Sequence, residues 1–220
     1  MDAVLLFSGQ GAQKVGMGKD LYDQYPVAKA LIEQADKALG ESLSAVMFEG
    51  PGEELTRTCN CQPALYVHGL ACLAVLKELV PSLNPVAAAG LSLGEFTAHA
   101  AAGTYSFEEG LRLVQKRGAF MEEACNATKG TMAAMIGGTD ENVIKLAQEC
   151  DVDVANFNCP GQTVVSGTEE GVAKAVAGAK AAGCKIAKKL NVAGAYHSRL
   201  MHSAMVKLAE ELKNCILYTS

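Results

Sequence analysis

The segment "PVAAAGLSLGEFTAHAAAG", residues 85–103, constrains the fold more than any other part of the chain. A run of small apolar residues leads into a serine between two glycines, and a helix-forming run follows. Glycines at 90 and 94 permit a turn sharp enough to join a strand directly to a helix. In such an elbow the Ser92 hydroxyl projects above the end of the strand, and the free N–H groups of the first helical turn aim at the same spot. Taken alone, GxSxG is also an ordinary small-residue turn. A serine hydroxyl becomes a nucleophile only when a base takes its proton, so the question passes to the rest of the chain.

The start repeats the strand, turn, helix theme: "AVLLFSG" runs into a glycine-rich turn and then a helical pattern over 20–39. A second helix is expected over "QPALYVHGLACLAVLKELV", ended by Pro81 and Pro85 ahead of the strand "VAAAG". "GEFTAHAAAG" reads as a helix closed by Gly103, and "SFEEGLRLVQKRGAFMEEACNAT" as another with Ser106 as its N-cap. From residue 131 the rhythm changes to "TMAAMIGG", "DENVIKLAQEC", "VDVANFN", "QTVVSG", "EEGVAKAVAGAKAAG" and "CKIAKKLNV". That order is βαββαβ, the split βαβ arrangement. The fold class expected is therefore α/β. An α/β-hydrolase-like large domain with a parallel sheet and nucleophile elbow spans 1–128 and 195–220, and a small ferredoxin-like subdomain spans 129–194.

Half of the 220 residues are apolar, which suits a substantial core. The net charge of −5 and the absence of Trp argue against nucleic acid, whose backbone needs clustered cations with stacking aromatics. No stretch approaches ~20 uninterrupted apolar residues, and "MDAVLLFSGQ" lacks the basic start of a secretion signal, so the expectation is a cytoplasmic protein with no membrane partner. The eight cysteines are scattered among apolar neighbours and read as reduced core thiols; "CNC" has the wrong spacing for a metal knuckle, and no metal site is expected.

Four histidines compete for the role of base. His68 lies within a core-facing helix, and His99 stands about two turns beyond Ser92, directed away from the helix tip. His202 sits on the last helix. His197, in "NVAGAYHSRL", occupies a loop-to-helix junction flanked by small residues, and is preferred.

Together "FSGQGAQKVGMG", "GLSLGE", "QKRGAFM", "NFNCPGQTVVSG" and "AGAYHSRLM" occur in order over almost the whole chain. In these segments the sequence resembles the malonyl-CoA:acyl carrier protein transacylases of fatty acid synthesis. The resemblance implies a malonyl-Ser92 ester, with His197 as general base and acid and the backbone N–H groups of Gln10 and Leu93 as oxyanion hole. It implies that Arg117 grips the malonyl carboxylate, a task suited to a planar, permanently charged fork. Met121, one helical turn on, would line the same pocket. Asn156 and Asn158 would hydrogen-bond the acyl-pantetheine arm or merely stabilise a turn. Tyr196 would crowd an α-methyl branch or wedge between domains. The partners implied are malonyl-CoA and acyl carrier protein, with no cofactor and a monomeric state. Lys185, Lys188, Lys189 and Arg199 are the basic positions offered to an acidic carrier.

Leu91 stands where the family commonly has histidine. Family chains typically continue further, and the downstream segment supplies the oxygen that orients the catalytic histidine. The expectation is either impaired activity or a substitute acceptor such as a backbone carbonyl. Two other readings stay open on the residues: a serine esterase or thioesterase, and a catalytically silent acyl-binding module. The start at Met1, directly before the first strand, favours a free-standing protein over a domain of a larger synthase.

Overall fold

A computed structural model of the chain describes residues 1–215. These form two compact units, Met1–Ala119 together with the segment from Ala209, and Phe120–Leu208. The elements in chain order are β1 (Asp2–Phe7), α1 (Lys19–Gln24), α2 (Pro26–Leu39), α3 (Leu43–Glu49), α4 (Gly52–Thr56), α5 (Thr58–Leu79), β2 (Asn84–Gly90), α6 (Leu93–Ala101), α7 (Phe107–Ala127), β3 (Gly130–Ile136), α8 (Asp140–Glu149), β4 (Asp153–Cys159), β5 (Gln162–Thr168), α9 (Glu169–Gly178), β6 (Ile186–Lys189) and α10 (His202–Lys213).

In the first unit β1 and β2 pair in parallel, in a register that sets Phe7 beside Gly90, so the two strands end together. The single helix expected over 20–39 is two. Pro26 occupies the first position of α2, and Tyr25 before it is extended, with φ −124° and ψ 113°, because the proline ring clashes with a helical predecessor. Ala28 of α2 packs on Ala71 and Val75 of α5, with Leu21, Tyr25, Val27 and Leu31 around them. α5 begins ahead of the expected segment and buries residues on every side, from Cys61 and Gln62 through Tyr66 to Val75. By length and composition it is apolar enough to cross a membrane, yet more than half of its most apolar stretch is buried inside the protein. α7 starts at a reciprocal cap: Ser106 N–H and Oγ donate to Glu109 Oε2, and Glu109 N–H donates back to Ser106 Oγ.

The second unit holds the four-stranded sheet, in order β4-β5-β3-β6, with every neighbouring pair antiparallel. With the element order β3-α8-β4-β5-α9-β6 this is the ferredoxin-like arrangement expected from the segment pattern. The strand period of two explains why β3 is buried throughout its centre. Ala133 and Met135 face the core made with Val143, Leu146 and Ala147 of α8 and Val172 and Ala175 of α9. Met132 and Ala134 point the other way, into a cluster with Met121, Ala124, Val164, Tyr196, Met201 and Ala204.

Candidate active site

Because β1 and β2 end side by side, the loop after β1 and the turn after β2 meet at their carboxyl ends, where α/β sheets gather their ligands. Leu91 N–H donates to the Phe7 carbonyl at 3.2 Å. Close packing makes the elbow glycines obligatory: a Cβ on Gly94 would lie 2.2 Å from the Phe7 carbonyl oxygen, and one on Gly90 1.9 Å from the Gly94 carbonyl carbon. Gly9 obeys the same constraint, since its Cβ would fall 2.5 Å from the Leu91 carbonyl oxygen. That approach sets the Gln10 turn against the residue preceding Ser92.

Ser92 is the N-cap of α6, with φ 53° and ψ −103°. A non-glycine residue in this left-handed region is strained, and here the strain belongs to the elbow that projects the hydroxyl. Leu93 opens the helix, so its N–H has no intrahelical acceptor, while Gly94 and Glu95 donate to the Leu91 and Ser92 carbonyls at 2.9 and 3.2 Å. The Leu93 side chain is buried and fixes the turn, whereas Leu91 is 54% exposed.

Arg117 reaches this serine from α7. Its Nη2 donates to Ser92 Oγ at 3.0 Å, its Nη1 donates to Gln62 Oε1 at 2.6 Å, and its guanidinium lies 5.2 Å from the Phe96 ring centroid. Gly118 permits the approach, since a Cβ there would sit 2.6 Å from the Thr58 carbonyl oxygen at the start of α5. Arg117 is 7% exposed and Gln62 1%. Burial pulls the guanidinium pKa down to about 10, with the field of Glu95 working in the opposite direction. Its hydrogen-bond partners among the described residues are both neutral, so a cation waits beside the serine.

The first unit therefore gathers Ser92, Leu93, Arg117 and the Gln10 turn, and adds Gln62 and Phe96, which sequence reasoning missed. A polar residue beside Pro63 in the first turns of an otherwise apolar helix was the available signal for Gln62.

The second unit carries the other expected residues. His197 is exposed in a turn and holds φ 56°. Tyr196 and Met121 lie buried together in the cluster that includes Met132 and Val164. Asn156 is half-buried on β4, and Asn158 is exposed further along that strand. Burial pushes the Cys125 thiol pKa up, partly offset by a hydrogen bond with Tyr196. Arg199 is exposed and is engaged by Asp151 and Asp153. Lys189 lies 3.8 Å from Glu169. Of the other histidines, His68 is half-buried, and burial lowers its pKa, partly offset by Asp20. The His99 Nδ1 lies 3.2 Å from Thr104 Oγ1, and His202 is exposed at the start of α10.

Residues 4–220 match the acyl transferase domain family. The chain is 46% identical over 215 residues to a malonyl CoA-acyl carrier protein transacylase of Bacillus subtilis, covering 96% of this chain and 67% of the relative. To the protein of the same name from Escherichia coli it is 42% identical over 211 residues, 94% of this chain and 68% of that one. Among solved structures, a malonyl-transacylase in complex with its type II PKS acyl-carrier protein superposes with a TM-score of 0.93 at 37% identity, covering 98% of this chain and 71% of that one.

Proposed function

This chain belongs to the acyl transferase domain family and, within it, to the malonyl CoA-acyl carrier protein transacylases, and from that premise we propose that it carries a malonyl group from malonyl-CoA to the phosphopantetheine thiol of acyl carrier protein through an ester on Ser92. The observation that carries this reading is the 3.0 Å hydrogen bond from Arg117 to Ser92 Oγ. A buried guanidinium with neutral partners stands beside the nucleophile, and an acyl group that ends in a carboxylate complements both at once.

In the first half-reaction His197 accepts the Ser92 proton as Oγ attacks the thioester carbonyl. The N–H groups of Gln10 and Leu93 hold the developing oxyanion. The C–S bond breaks, and CoA leaves as the thiol with the proton returned by His197. In the second, the pantetheine thiol gives its proton to His197, sulfur attacks the malonyl-Ser92 ester, and Ser92 leaves reprotonated. Arg117, with a pKa of about 10, stays charged at neutral pH. An arriving carboxylate competes for Nη2, which releases the Ser92 hydroxyl to the base. Met121 and Tyr196 wall the acyl pocket, and Asn156 and Asn158 contact the pantetheine arm. In this reading the enzyme works as a cytoplasmic monomer in fatty acid biosynthesis, with no cofactor beyond its substrates.

Mass spectrometry after mixing with malonyl-CoA tests the proposal. The expected result is one malonyl group on Ser92, lost in Ser92→Ala, and an Arg117→Ala variant that loses malonyl while still accepting acetyl. A native chain that gains no malonyl group, or one that only releases malonate to water, overturns it.

A further inference from the structure

We propose that Asp153 and Arg199 clamp the turn that carries His197, which makes Asp153 a positioning residue for the base; the proposal rests on the assignment of His197 above and deepens it. His197 holds φ 56°, a conformation that L side chains keep only when their neighbours over-determine it. On its N-terminal side the chain is pressed into the core. A Cβ on Gly194 would sit 2.2 Å from Cys125 Sγ, and Tyr196 is buried among Met121, Met132 and Met201. On its C-terminal side Ser198 Oγ donates to the Ala195 carbonyl at 2.7 Å, spanning the turn, and accepts Leu200 N–H at 3.2 Å.

Arg199 completes the second anchor. Its main-chain N–H donates to Asp153 Oδ2 at 2.7 Å, its Nε lies 3.1 Å from both Asp153 oxygens, and Nη2 donates to Oδ1 at 2.8 Å. Nη1 donates to Asp151 Oδ1 at 2.7 Å. An isolated surface ion pair holds little, because two long side chains must be ordered to make it. This pair differs in kind: Asp153 grips the backbone as well as the guanidinium, so the contact fixes main-chain position two residues from His197. Asp153 itself opens β4, where it stands opposite Ser166 of the neighbouring strand. The turn is thus tied to a sheet on one side and to a core on the other, with an exposed imidazole between the two anchors.

Asp153→Ala, Arg199→Ala and the double variant of the full chain are compared by single-turnover malonylation of Ser92 and by amide hydrogen exchange. Each single change is expected to slow acylation on the order of tenfold, as a small misplacement of a catalytic group does, with half-saturation by malonyl-CoA unchanged. The double variant should be no slower than the singles, and Arg199→Lys should recover part of the rate. Exchange should quicken across 194–201 and not elsewhere, which separates a loosened turn from general unfolding. In a His197→Ala background Asp153→Ala should change nothing further. Native-rate acylation by Asp153→Ala, losses that multiply in the double variant, or further slowing in the His197→Ala background overturns the clamp. If His197→Ala alone acylates at the native rate, the base assignment falls, and exchange over 194–201 in Asp153→Ala still decides whether the clamp holds the turn.

Discussion

Gln62→Glu puts a carboxylate where a neutral amide now accepts from Arg117 Nη1 at 2.6 Å. The side chains are nearly the same shape, so the change is one of charge together with the loss of the amide donor. With Glu at 62 the buried cation acquires an internal partner, and an arriving malonyl carboxylate meets a guanidinium already neutralised. Two carboxylates sharing one guanidinium stand roughly 5–6 Å apart, and at an effective dielectric of ~20 their repulsion is about 3 kcal/mol. At about 1.4 kcal/mol per tenfold, kcat/KM for malonyl-CoA falls on the order of a hundredfold. Acetyl-CoA, which has no carboxylate, should react at its native rate, so the quantity to follow is the ratio of malonyl to acetyl loading on Ser92 in competition. Attraction and desolvation of the buried pair largely cancel, so the stability cost in urea unfolding should be that of the lost amide donor, roughly 1–3 kcal/mol. A variant that keeps the native malonyl preference refutes the placement of the malonyl carboxylate on Arg117.

Three further outcomes follow from the same geometry. Because the Arg117 pKa is pulled down to about 10, malonyl preference over acetyl should hold through neutral pH and collapse as pH rises through that value, which competition loading over a pH series would show. Gly94→Ala places a methyl group 2.2 Å from the Phe7 carbonyl oxygen, and should cost roughly 1–3 kcal/mol in urea unfolding with acylation abolished. Hydrogen bonding by Arg199 holds the Asp153 pKa below its ordinary value. The stability this supplies is full above the ordinary carboxylate pKa and is lost as pH falls through the depressed one, so Asp153→Asn should flatten the acid limb of stability against pH.

What could be read from the sequence was whatever depends on near neighbours. The elbow, the Ser106 cap of α7 and the alternating segments of the βαββαβ unit are written in residues a few positions apart, and sheet order follows once those segments are recognised. The break at Pro26 was legible too, since proline dictates the conformation before it, but a continuous apolar spacing across 20–39 masked it. Gln62 with Arg117 and Asp153 with Arg199 are pairs separated by 55 and 46 positions. No periodicity encodes such pairs, because they exist only after helices and strands have packed. Arg199 shows what charge read without contact leaves out: it is a surface cation, as its letter suggests, and in the fold it also binds two aspartates.

Anyone building variant libraries at residues 90–94 inherits a narrow choice. Gly90 and Gly94 touch backbone, Ser92 carries the proposed ester, and Leu93 is 1% exposed, whereas the side chain of Leu91 is largely in solvent. Saturation at all five positions would return mostly insoluble or inert protein. Diversity directed to position 91 samples the rim of the elbow and leaves its geometry untouched.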